Sequence, residues 1–88
     1  MHSALVIIEK PNTNEPELGQ AWQRILQKIA EQLGLYANMK RIGEYSLEIE
    51  LSNSMPALVN LLHTVQVEHI PYQVLFFEEK PCWIQYLP

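Results

Sequence analysis

Tyr45-Ser46-Leu47-Glu48-Ile49-Glu50-Leu51 alternates apolar and polar residues without a break. Successive side chains of a strand point to opposite faces, so a period of two describes a strand with one dry face and one wet face. Strands of this kind belong to antiparallel sheets covered on one side. The dry face needs a cover, and the chain supplies two helices.

Upstream, Leu18, Trp22, Ile25, Ile29 and Leu33 recur at steps of four, three, four and four, with Ala21, Leu26 and Ala30 widening the stripe. Gln20, Gln23, Arg24, Gln27, Lys28, Glu31 and Gln32 fill the opposite side. The spacing predicts an amphipathic helix of about five turns. Asn14 and Glu17 have capping-box spacing, Pro16 suits a first turn, and Gly34 suits a left-handed stop. Downstream, Asn53 or Ser54 is placed to cap a second helix with Pro56 in its first turn. Leu58, Leu61, Leu62 and Val65 form its inward stripe, Asn60, His63 and Gln66 face out, and Pro71 ends it.

Four further strands frame these helices. Residues 4–8 are continuously apolar and β-branched, which predicts a central strand buried on both faces. Residues 36–42 alternate loosely and lead through a Gly43-Glu44 turn into the strand quoted above. Residues 72–77 form a fourth strand, residues 78–81 turn the chain, and residues 82–87 form a short fifth strand. The expected order is β-α-β-β-α-β with an extra C-terminal strand. That order matches a ferredoxin-like α+β sandwich, with two helices on one face of an antiparallel sheet, in a single domain covering residues 1–88.

Composition narrows the functional classes. Of 88 residues, 48% are hydrophobic and 18% charged, which excludes a chain kept disordered by low hydropathy and high charge. The net charge is −4, and Lys10, Arg24, Lys28, Lys40, Arg41 and Lys80 are scattered. Nucleic-acid binding needs positive charge gathered on one face, so none is expected. Glu48 and Glu50 also occupy the wet face where RNA-binding sheets present aromatic rings. Cys82 is the only cysteine, so no intrachain disulfide forms and a reducing compartment is expected. Residues 4–8 are too short for a signal-peptide core or a membrane span. A cytoplasmic protein without membrane association is the expectation.

Catalytic and metal chemistry find little support. Small CRISPR-associated endonucleases of this topology carry an acidic metal ligand after the first strand, where Glu9 stands here, but their pattern asks for Asp after an aromatic and this chain contains no Asp. His2, His63, His69 and Cys82 lack the spacing of a metal site, and His63 and His69 are six positions apart. Ser46, Ser52, Ser54 and Cys82 sit in no nucleophile motif, and Gly19, Gly34 and Gly43 form no phosphate loop. No catalytic residue, metal ligand or cofactor is therefore assigned.

One feature stands out. Val74-Leu75-Phe76-Phe77 must place apolar groups on both faces of the sheet, and Trp83, Ile84, Tyr86 and Leu87 repeat this in the final segment. Two helices dry one face only. The other face, carrying Leu75 and Phe77 or Val74 and Phe76, needs a partner chain or its own terminal hairpin folded back over it, and the candidate interaction residues are Leu75, Phe77, Trp83, Tyr86 and Leu87. The sequence thus points to a non-enzymatic protein-interaction or regulatory module that forms a homodimer. The alternatives are a small-molecule-sensing domain, an inhibitor that occludes a partner's basic surface, and a metal-dependent nuclease-like protein.

Overall fold

In a computed structural model, which describes residues 2–12, 14–51, 55–80, 82–84 and 86, the chain runs β1 (Ser3–Ile8), α1 (Pro16–Leu35), β2 (Met39–Gly43), β3 (Ser46–Glu50), α2 (Met55–Val67) and β4 (Tyr72–Phe77). The strands form one open sheet in the order β2-β3-β1-β4, and every neighbouring pair is antiparallel. Four antiparallel strands and two helices make a small α+β architecture consistent with the ferredoxin-like expectation.

Periodicity decides the core. Leu47 and Ile49 of β3 are buried, as are Ala4, Val6 and Ile8 of β1. They share one cluster with Trp22, Ile25 and Ile29 of α1 and with Leu58, Leu61 and Val65 of α2. Both helical stripes read from the sequence therefore meet the dry side of the strands. Trp22 is 4% exposed and its ring lies 5.3 Å from that of Tyr45, a tilted aromatic pair that closes the core beside the β2–β3 turn.

The expected two-sided burial of β1 is corrected. Leu5 is half-buried and Ile7 is 43% exposed, because the sheet has helices against one face only. Its apolar run reflects a face that is apolar yet open.

The helix ends also differ from expectation. The N-cap of α1 is Glu15, which makes no side-chain capping bond. Asn14 is used otherwise: its amide donates to Asn12 Oδ1 at 3.1 Å, one residue too early for the expected box with Glu17. Gly34 is no left-handed stop, since no described glycine has positive φ. The helix runs through Leu35, and the Tyr36 amide still donates to the Gln32 carbonyl at 2.9 Å. That continuation delays β2 from residue 36 to Met39. The expected cap of α2 at Asn53 or Ser54 lies outside the described residues.

At its other end α2 stops in a Schellman arrangement. The His69 amide donates to the Gln66 carbonyl at 3.0 Å and the Ile70 amide to the Val65 carbonyl at 3.5 Å. His69 takes φ 59°, the left-handed region where glycine is usual. Ile70 and Val65 are both buried, which supplies the hydrophobic contact of the motif.

Candidate interaction surface

The face of the sheet away from the core cluster is built by the alternate residues of each strand. Along β1 these are Ser3, Leu5 and Ile7, opposed by Glu50, Glu48 and Ser46 of β3 and by Phe77, Leu75 and Gln73 of β4. Lys40 of β2 lies opposite Glu48. One row across the sheet thus reads Lys40, Glu48, Leu5, Leu75. The β2–β3 half is charged and the β1–β4 half is apolar. Leu75 is 55% exposed, Phe77 is half-buried, and both belong to the apolar half with Ile7.

The segment after β4 returns over the charged half. The Trp83 indole N–H donates to Glu48 Oε2 at 3.0 Å. Trp83, Lys80, Lys40, Glu48, Glu50 and Asn38 are among the residues around a cavity of about 280 Å³ there. The expected fifth strand is corrected: among the described residues, 82–84 and 86 have no strand pairing and β4 pairs with β1 alone. Among the described residues, a side chain and not a backbone ladder attaches this segment. Trp83 has an apolar ring and a single N–H donor, so it covers surface while a carboxylate satisfies its polar edge.

The five residues singled out from sequence are thus divided. Leu75 and Phe77 share the apolar half, Trp83 sits at the charged half, Tyr86 is almost fully exposed, and Leu87 lies outside the described residues. Two participants were missed. The apolar run of residues 4–8 places Ile7 in the core, whereas the one-sided pattern of residues 45–51 implies the uncovered face on which it lies. Glu48 was read only as a charge hostile to RNA, when its wet-face position also made it an acceptor.

Across the molecule, α1 and α2 are joined by polar contacts. Arg24 donates from Nε and Nη2 to both carboxylate oxygens of Glu68, each at 2.8 Å. This fork holds the Glu68 carboxyl below the ordinary glutamate range and the Arg24 guanidinium above its ordinary range. Gln32 Nε2 donates to Thr64 Oγ1 at 2.9 Å, and Asn60 Nδ2 donates to the Tyr36 hydroxyl. These residues and His63 line a wide groove of about 660 Å³.

Among the described residues no three His, Cys or Glu side chains gather as metal ligands. Glu9 is exposed at the end of β1, His63 lines the helix groove, His69 occupies the α2 stop and Cys82 is exposed after β4. No described helix is long and apolar enough to cross a membrane. Comparison with known proteins finds no matching family model, no similar curated protein and no similar solved structure.

Proposed function

We propose that this protein is a non-enzymatic interaction module of ferredoxin-like architecture, working through the β1–β4 side of its sheet, and that its partner there is a second copy of the chain. The observation that carries this reading is the exposure of Leu75 and Ile7 on a face whose charged half is already occupied by the chain's own Trp83. By register, Leu5, Ile7, Leu75 and Phe77 are neighbours. Contiguous apolar surface of this kind marks association. Burying a large apolar side chain is worth roughly 1.5–3 kcal/mol before the cost of association. A two-fold dimer is the commonest way for identical chains to gain it. With one cysteine, exposed and free, the proposed compartment is the reducing cytoplasm.

The test is light scattering and sedimentation at micromolar concentration. The expected mass is twice that of the chain. The paired substitutions Leu75→Glu and Phe77→Glu are expected to weaken association at least tenfold, while Gln27→Ala on the helical side leaves it unchanged. A wild-type chain that remains monomeric at high micromolar concentration refutes the reading.

A further inference from the structure

β4 is the last strand of the sheet order, with β1 on one side and no strand on the other among the described residues. The two borders of the sheet differ in chemistry. The β2 border carries Lys40 and Arg41, and its ladder with β3 shifts between Arg41 and Gly43. Charges and irregularities are the usual protection against strand addition. β4 reads Tyr-Gln-Val-Leu-Phe-Phe, without charge or proline, and its register with β1 runs unbroken.

The register also fixes which backbone groups face outward. The Glu9 amide donates to the Pro71 carbonyl at 2.9 Å, which marks that pair as hydrogen-bonded. Hydrogen-bonded and non-bonded pairs alternate along an antiparallel ladder. Ile7 opposite Gln73, Leu5 opposite Leu75 and Ser3 opposite Phe77 are then the bonded pairs with β1. The N–H and C=O groups of Tyr72, Val74 and Phe76 consequently point away from β1.

We propose that a second copy of this chain adds its β4 to this one antiparallel, Val74 facing Val74 on a two-fold axis and Tyr72 facing Phe76 of the copy. The proposal rests on the self-association reading above and moves the contact from the face to the β4 border, where the apolar strip is made continuous across the two copies and is not covered by either. Three outward-facing residues centred on Val74 are self-complementary, so one register pairs all of them in both directions. Phe76 is 44% exposed at this border. It gains the ring of the copy's Tyr72, a side chain whose hydroxyl already accepts from Gln66 Nε2 at 2.6 Å. Leu75 comes opposite the copy's Gln73 on the other face, continuing the apolar strip formed with Leu5 and Ile7. Charge selects the direction: antiparallel addition sets Glu78 opposite the copy's Ile70 and Glu79 opposite its His69, whereas parallel addition would stack glutamate on glutamate. The Trp83–Glu48 bond lies over β3 and is left undisturbed.

Disulfide trapping tests the register. In a Cys82→Ser background, a chain carrying Gln73→Cys is mixed with one carrying Leu75→Cys under mild oxidation. In the proposed register these positions form a non-bonded pair with Cα atoms about 4.5 Å apart, within disulfide reach. The expected result is rapid formation of the mixed crosslinked dimer, with each chain alone crosslinking at least tenfold more slowly. Sheets stacked face to face lie about 10 Å apart, too far for this bond. As a second arm, Val74→Pro removes an outward N–H at a position where an edge strand tolerates proline, and is expected to give folded monomer. A wild-type dimer that gives no mixed crosslink and survives Val74→Pro overturns the edge geometry and leaves self-association standing. A wild-type monomer overturns both.

Discussion

The indole N–H of Trp83 donates to the carboxylate of Glu48 at 3.0 Å, joining positions 35 apart in sequence and attaching the segment after β4 to the third strand. Trp83 is 46% exposed, so this is a tether at the surface and not a core contact. Glu48→Ala removes the acceptor. The expected outcome is stronger acrylamide quenching of the more accessible tryptophan, with helical circular dichroism unchanged. The loss of overall stability should stay below about 1.5 kcal/mol, the ordinary net worth of a hydrogen bond. Unaltered quenching would show that the segment is held by something else.

Trp22 should behave in the opposite way. It is buried on the inward stripe of α1 and packed against Tyr45. Trp22→Ala is expected to cost about 3–5 kcal/mol in urea melts, from lost burial and the cavity left behind. Gln27, on the exposed side of the same helix, should change stability by less than about 0.5 kcal/mol when replaced by Ala. Equal effects would contradict the helix orientation.

The stop of α2 offers a stabilising change. His69 holds a left-handed conformation that disfavours every residue with a Cβ. His69→Gly relieves that strain while giving the unfolded chain more freedom, two opposed terms of similar size. Strain is the larger at a Schellman position, so the net expectation is a gain of up to about 1 kcal/mol, read as a higher urea midpoint at constant slope. A fall in the midpoint would mean that the imidazole contributes a contact worth more than the strain.

Acid should loosen the two helices from each other. The Glu68 pKa is lowered in the folded protein by the Arg24 fork, so its contribution to stability is complete above the unfolded-state glutamate value. It declines as pH falls below that value and is gone once pH passes the lower folded-state value. Glu68→Gln should therefore be less stable than wild type at neutral pH, with the difference closing on acidification. Chemical denaturation at neutral pH and through the acid range measures it, and a difference independent of pH would rule out the ion pair as its source.

The elements that residue periodicity could reach were legible. The step pattern from Leu18 to Leu33 gave α1, the alternation from Tyr45 to Leu51 gave β3, and Tyr72–Phe77 was found with its observed bounds. What failed depended on competition between neighbours. Asn14 had the spacing of a cap, but the helix begins at Pro16 with Glu15 as its N-cap, which leaves Asn14 one residue outside. Gly34 had the composition of a stop, but nothing in the following residues required the helix to end there. The final segment is apolar on both faces like a buried strand, yet apolar composition supplies no backbone partner, and residues 82–84 and 86 pair with none. Of the surface, Leu75 and Phe77 were recoverable as a pair because parity along one strand puts them on the same side, whereas parity does not say which side the helices leave open. The pairing of Trp83 with Glu48 was not, since no local rule relates residues so far apart.

The irregular β2 border has a consequence for numbers of chains. Arg41 turns back on the chain there, donating to the carbonyls of Gly43 and Glu44 at 3.2 and 2.9 Å. A molecule with two receptive borders would recruit copies at each end and grow without limit. In the proposed edge geometry one border is receptive and the other is occupied with itself, so joining two receptive borders would leave only refractory ones outside. In the proposed dimer, stoichiometry is then a matter of termination: growth would halt at the pair, and a chain rich in apolar strand residues would be kept from becoming a fibre.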